Sequence, residues 1–378
     1  MRYLLWLALS VAIGEAGESA ADLARAIRAS GLDSQECYRV RDLAFQKEDL
    51  KFYLTDGHVI FSKPVAGKPF AVIFTTDVPG GDGELMVFPP HRSERLSLAS
   101  FANTPNLDEH FSAAVFLFTD ETGDLIRAQL KALEARKAPE AGILLDQSFS
   151  SVLKNLAGSY ETRIVHDILN RTPESGFLYA ALQGKQLGNF DVVYDAAARD
   201  QVLIGQLTSR DDRRFWNTWT SFRARSFRTG RKVHLENSFK ISTVNIDATI
   251  DPSLHLKATS RLLLNGVGKR ALSFEISRRM RVTAARIDGQ PAELFLHDSL
   301  RSNLIRGGEN AAFLVIANQP LAPGEPHTIE VVHEGDVIQR SGNGVFFVGA
   351  RSSWYPNREA TFARYEVRFR YPKHLNLV

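Results

Sequence analysis

Cysteine is nearly absent: Cys37 is the only one in 378 residues. That excludes an intrachain disulfide and any cysteine-built metal site. Long apolar runs are missing too, and no segment beyond the N-terminus is apolar enough to cross a bilayer. Charge of one sign is also lacking. Lys and Arg number 46 against 43 Asp and Glu, which leaves +3. Over this length that is too little to imply nucleic acid or another polyanion as partner. The histidines, among them His58, His91, His110, His166, His234 and His297, are dispersed with no i, i+4 pair. No G-x-S-x-G nucleophile elbow occurs either.

One stretch looks like half of a zinc motif. "VVHEGDVIQ" (Val331 to Gln339) sets His333 beside Glu334. In H-E-x-x-H two histidines one turn apart hold zinc and the glutamate is the general base. Here Val337 stands where the second histidine belongs, and Gly335 with Asp336 breaks the helix that the motif requires.

What is present begins at the N-terminus. "MRYLLWLALSVAIGEAG" places Arg2 before an apolar run from Tyr3 to Ile13, then small residues at Gly14 and Ala16. That order predicts a secretory signal peptide over residues 1–16, too short to span a membrane. The mature protein is expected to be exported, periplasmic or extracellular. Cys37 lies far from the cleavage site and reads as a buried thiol, not a lipid anchor or nucleophile.

After a short helix in "SAADLARAIRASGL", β-type segments dominate residues 36–235. "LKFYLTDGHVIF" reads as two strands around an Asp56-Gly57 hairpin turn. "KPFAVIFTTD", "GELMVFPP" and "SAAVFLFTD" read as further strands. "DLIRAQLKALEARKA" reads as a helix, with Leu125, Ile126, Gln129, Leu130 and Leu133 on one face and Pro139 beyond its end. Short helices are expected around "SSVLKNLAG" and "YETRIVHDILN", then strands in "GFLYAALQG", "NFDVVYD" and "DQVLIGQLTS".

From residue 241 to 378 the period is two. "STVNIDATID" puts Val244, Ile246, Ala248 and Ile250 on one face, and "LHLKATSRLLLN" does the same with Leu254, Leu256, Ala258, Leu262 and Leu264. "RVTAARIDGQPAELFLH" is a hairpin across Asp288-Gly289, and "YEVRFRYP" alternates Tyr365, Val367 and Phe369. Such alternation with frequent turns predicts an antiparallel sandwich or saddle of sheets. His333 falls near the end of the strand "TIEVVHEG", with Gly335 as its turn. The whole chain is expected to be mainly β with some helix (α+β), in two domains after the signal: a β-rich accessory domain at 36–235 and the sandwich at 241–378.

This last part resembles the N-terminal β domain of the membrane alanyl aminopeptidase family of zinc metallopeptidases (gluzincins). The features are "VNIDATIDPSLHLKATSRLLLN", then "LSFEI" and "MRVTAARIDGQP", then "ANQPLAPGEPHTIEVVHEG" with His333 where an aromatic is usual. "SSWYPNREATFARYEVRFRYP" follows, where Trp354, Tyr355 and Pro356 anchor the chain before a strand that ends in Pro372. Residues 36–240 have no counterpart in that architecture. In the family, catalysis belongs to a following domain with a G-x-M-E-N segment and H-E-x-x-H. "GGEN" (Gly307 to Asn310) lacks the Met and reads as a turn. No catalytic, cofactor-binding or metal-ligating residue carries over, so no cofactor is expected in this chain, and zinc only with a downstream catalytic domain.

The resemblance therefore implies the non-catalytic part of an exported zinc-aminopeptidase-like peptidase, truncated or a fragment, that packs against a catalytic domain or presents peptide to it. The alternatives are a stand-alone exported protein- or peptide-binding module, and an enzyme with an unrecognised site in 36–240. An exposed apolar edge near 345–378 would favour the first reading, and a well-capped C-terminus the second. "RDDRRFWNTWTSFRARSFRTGRK" interleaves basic and aromatic residues, but reads as packing with snorkelling arginines, not as a nucleic-acid surface. Glu161 and His166 fall on one helix without forming a recognisable site.

Overall fold

The computed structural model describes residues 18–76, 81–171, 175–211, 213–232, 239–266, 268–297, 299, 305, 310–342, 344–349, 353–358 and 362–375. The expected signal peptide lies outside the described residues.

Strand β2 (Leu50–Ser62) is continuous where the sequence predicts a hairpin. Strand β1 (Leu32–Lys47) pairs antiparallel along it, with Val40 opposite Gly57 and Arg41 opposite Asp56. A turn at Asp56-Gly57 would forfeit that ladder. Glycine serves a different purpose here: a Cβ on Gly57 would lie 2.4 Å from the Thr75 carbonyl oxygen and 2.7 Å from the Phe74 ring. Asp56 is held by Arg39. This is also where β2 changes partner. Its first half pairs with β4 (Gly83–Val87) and its second half with β3 (Ala71–Thr75).

Strand β5 (Leu107–Phe118) pairs with both β3 and β4. Beyond it run β7 (Phe177–Gly184), β8 (Asn189–Asp195), β9 (Val202–Arg210) and β10 (Arg213–Phe222), each antiparallel to its neighbour, and the two-residue β6 (Arg136–Lys137) flanks β1 at the far edge. Alternate side chains feed two cores. Val59, Phe61, Phe74 and Phe116 point to one, Ile60, Ile73 and Val115 to the other. Phe45 near one end of the sheet shares the first core with Trp219 and Phe222 at the other end, so the sheet curls around it.

Helices α2 (Arg92–Ala102), α3 (Thr122–Ala132) and α6 (Arg225–Arg228) add Leu98, Ile126 and Phe227 to that core. Helices α1 (Ala20–Ala29), α4 (Pro139–Gly158) and α5 (Glu161–Asn170) cover the other face. Helix α2 is not foreseen from sequence. Helix α3 ends six residues before the predicted Ala138: Glu134 takes φ 49°, and Arg136–Lys137 leave to pair with β1. Leu125 and Leu133, expected on its inner face, are exposed. Pro139 opens α4, which at 20 residues is far longer than anticipated. Proline suits a first helical turn because that turn's N–H groups lack intrahelical partners.

The second half forms a six-stranded sheet in the order β15 (Gln290–Pro291), β14 (Met280–Ile287), β18 (Pro326–Gly335), β12 (Leu256–Asn265), β11 (Ile241–Ile250), β21 (Arg364–Arg370). Facing it is a three-stranded sheet of β13 (Ala271–Ser277), β17 (Asn310–Ile316) and β16 (Glu293–Leu296). A small ribbon, β19 (Ile338–Arg340) with β20 (Phe346–Val348), follows β18. Val244, Ile246, Leu262, Phe274, Phe313 and Val331 fill the space between the two sheets. One pairing departs from the antiparallel expectation: β21 runs parallel to β11. A parallel pair needs a long crossover, and the chain makes it by crossing the edge of β13 before it reaches β21. Leu254 also departs, sitting in the turn before β12 with φ 69° instead of in the strand. Gly335 is no turn either. It is the last paired residue of β18, against Leu256 and Met280, where a Cβ would meet the Arg279 carbonyl oxygen at 2.0 Å.

The two halves share a core. Ala271, Phe295, Leu314 and Ile316 join Leu23, Ile27, Ile164 and Val165. Glu293 accepts hydrogen bonds from the Ala20 and Ala21 N–H groups at 3.2 and 3.1 Å, satisfying the first turn of α1. Asn170 at the end of α5 donates to the Ala271 carbonyl and accepts from its N–H, both at 2.9 Å. The chain is mainly β with helices packed on the first sheet, an α+β arrangement, as its sequence implies.

Candidate functional site

His333 points into the sandwich and is fully buried. Its Nε2 lies 2.9 Å from Ser260 Oγ, and its Nδ1 has no hydrogen-bond partner among the described residues. Burial alone brings its pKa down to about 4, so the ring is neutral at physiological pH. Glu334, the next residue on the strand, points to the opposite face. It is paired with Arg281, with Lys257 at 3.9 Å and His255 at 3.8 Å. A strand puts neighbours on opposite faces, so the two cannot serve one metal ion, and the zinc of the resembled family finds no fit at this pair.

His58 is buried in β2, and most of the remaining described histidines are held by acids or caps. His110 bonds Asp82, His255 bonds Asp336 at 2.7 Å, and His327 bonds Asp288 at 2.7 Å. His91 is the N-cap of α2, and Glu94 accepts from its backbone N–H at 2.9 Å. Glu161 and His166 are not brought together. Fully buried Glu161 binds Arg28 and lies 3.4 Å from His297, while His166 bonds Asp167 at 2.8 Å. His234 and all of "GGEN" except Asn310 lie outside the described residues. In the basic-aromatic stretch Trp219, Phe222 and Phe227 are core residues and Arg228 pairs with Asp49 at 2.9 Å. Cys37 is fully buried, and desolvation pushes its thiol up to about 11.

The feature that remains is the edge of the six-stranded sheet. Tyr365, Val367 and Phe369 on β21 stand beside Val244, Ile246 and Ala248 on β11. The β11 residues are buried, but Tyr365 and Val367 are 44% and 43% exposed. They continue the inner face of the sheet past the cover that the three-stranded sheet supplies. Trp354 packs on Phe369 with centroids 5.6 Å apart, and Tyr355 meets Tyr365 edge-on at 5.8 Å. Burial, then contact with Tyr365, raises the Tyr355 hydroxyl to about 12.

The Trp354 segment is itself tied down. Ser277 donates to the Ser353 carbonyl at 2.7 Å, and Glu275 and Asn357 exchange backbone bonds at 2.7 and 2.9 Å. Phe347, Phe362 and Tyr371 add exposed apolar side chains in the flanking segments. Arg368 and Arg370 lie on the other face, 3.8 and 3.4 Å from Asp247. No strand among the described residues pairs with the outer side of β21. An apolar stripe next to an open backbone edge is docking chemistry.

One potential ligand set went unseen in the sequence. Glu84, Asp108 and His110 bring one ligand atom each to within 4.8 Å of one another. Pairing of Glu84 with His110 across β4 and β5 creates it. The only sequence trace is the i, i+2 spacing of Asp108 and His110. Burial and a hydrogen bond to Asp108 raise the Glu84 carboxyl above its ordinary range. A carboxyl held above its ordinary range gives up its proton less readily, and a metal ion needs the ionised form, so the shift opposes metal binding.

No protein-family model matches the chain, and no curated protein sequence matches it. Among solved structures, 36% of the chain is similar to an M1 zinc metallopeptidase from Deinococcus radiodurans at 16% identity and TM-score 0.27, covering 33% of that chain. A mutant of that enzyme bound to a Tyr-Ser-Ala substrate is similar at 17% identity and TM-score 0.27. Native yeast LTA4 hydrolase is similar at 16% identity and TM-score 0.29, with 24% of its length covered. The chain thus spans a third or less of the length of these enzymes.

Proposed function

We propose that this chain is the non-catalytic N-terminal part of an exported zinc-aminopeptidase-like protein, and that its second half packs against a catalytic domain or presents peptide to it. The observation that carries this reading is the half-exposed apolar stripe of β21, anchored by Trp354 and Tyr355. It occupies the segment where the resembled family's β domain leads into the catalytic one. A stand-alone module has no evident reason to leave the inner face of its sandwich open at that edge. Export is supported by the order of basic, apolar and small residues at the N-terminus.

The test is association with a zinc-aminopeptidase catalytic domain supplied in cis or as a separate chain. Val367→Asp should leave the isolated chain folded, because Val367 is 43% exposed. It should weaken association at least about tenfold, since a carboxylate in an apolar contact costs more than about 1.4 kcal/mol. Association that is absent, or indifferent to Val367→Asp, rejects the reading.

A further inference from the structure

The face of the three-stranded sheet turned toward the first half of the chain is sealed only in part. Ala271, Leu314 and Ile316 pack on α5. Farther along, β13 and β17 turn polar, with Ser273, Glu275 and Asn310 lining a cleft of about 550 Å³ between the halves. That volume suits a small molecule.

Most charges in this cleft are spoken for. Arg163 binds Asp167 at 2.8 Å, Asp195 at 2.7 Å and the Ser175 carbonyl at 2.6 Å. His166 is engaged by Asp167 and Asn170, and burial, the largest influence, lowers its pKa. Asp200 accepts from Ser221 at 3.2 Å. Lys269, just before β13, is different. It is half-buried, and no carboxylate of the described residues lies within 4.0 Å of its ammonium. Desolvation and then Arg358 hold its pKa below the ordinary lysine value, with Arg163 acting in the same direction and Asp167 opposing. A cation left this way is costly to bury. An anion would remove that cost. Asn310 uses its Oδ1 to accept from the Ser353 N–H at 3.0 Å, which leaves its Nδ2 to donate.

We propose that this cleft binds a small organic oxyanion, a carboxylate or a phosphate ester, with Lys269 as the charge anchor, Arg358 beside it, and Ser273 and Asn310 as hydrogen-bond donors. The site stands apart from the aminopeptidase reading and shares no residue with the β21 stripe.

The test uses the full chain with citrate and inorganic phosphate as probes, at ionic strength matched with sodium chloride. Acetic anhydride labelling is read lysine by lysine by mass spectrometry. At ten times its Kd a probe leaves about one site in eleven free, so labelling of Lys269 should fall about tenfold while exposed Lys63 is unaffected. The same probe should raise Tm saturably in the wild type and in Lys269→Arg, but not in Lys269→Met. Protection by one probe alone supports the site and assigns its class. The proposal is overturned if neither probe protects Lys269 up to ~100 mM, where even a millimolar site saturates. It is equally overturned if Lys269→Met is stabilised as strongly as the wild type. Should Lys269→Met fail to fold, the labelling of the unmodified chain decides.

Discussion

Acidification should unfold the sandwich earlier than its carboxylates alone would, and His333 is the reason. In the folded chain burial lowers its pKa from 6.5 to about 4. The unfolded chain therefore binds more protons between those two values. Stability is fully present above pH 6.5 and is lost as pH falls toward 4. At about 1.4 kcal/mol per pH unit, the full loss is about 3 kcal/mol, of which about 2 is gone by pH 5. His333→Phe removes the titrating ring. It also removes the Ser260 bond, worth about 1 kcal/mol, and the orphaned Nδ1, so at pH 7 the variant should lie within about 1–2 kcal/mol of the wild type. Between pH 7 and pH 5 it should lose about 2 kcal/mol less than the wild type does. Urea unfolding read by tryptophan fluorescence checks this, since Trp354 packs on the sandwich. Other groups, including His166, titrate alike in both proteins and cancel in the comparison. Equal losses in the two proteins would refute a neutral, buried His333.

Gly57→Ala should cost about 2 kcal/mol or more through the clash with Thr75 and Phe74, whereas Gly158→Ala, with nothing within 4 Å of its Cβ position, should be neutral or slightly stabilising; urea midpoints distinguish the two. Cys37 should stay unlabelled by a disulfide reagent at pH 8 until the chain is unfolded, because a thiol held near 11 supplies little thiolate. Elemental analysis of the purified chain should find no stoichiometric zinc. One zinc per chain that is lost in His110→Ala would mean that Glu84, Asp108 and His110 hold it.

The sandwich was legible because a sheet buried on one face prints its period directly. The alternation of Val244, Ile246 and Ala248 is the burial pattern of β11. Elements whose sense depends on distant partners were less so. Asp56-Gly57 carries turn chemistry, yet β1 and Thr75 decide its fate. The parallel placement of β21 follows from the route of the Trp354 segment, which no local pattern encodes. Helix α2 buries only Leu98 and is capped by His91 with Glu94, outside the Ser/Thr signature that marks most capping boxes. The cleft around Lys269 joins residues from α5, β13 and the Arg358 segment, so its chemistry exists only in the fold. That the His333-Glu334 pair is no zinc motif could be read from Val337 alone, and the strand at β18 supplies the geometric reason.

Hydrolysis of aminoacyl-anilides decides whether this chain performs peptidase chemistry without a catalytic domain. The 378-residue chain alone should release nothing above buffer, with or without zinc, and Glu334→Gln should change neither this nor its Tm. Joined to a zinc-aminopeptidase catalytic domain, it should support zinc-dependent release of N-terminal residues, and Trp354→Ala should weaken the joined protein more than the isolated chain. Activity from the isolated chain that Glu334→Gln abolishes would make His333-Glu334 part of an active site and this chain an enzyme in its own right.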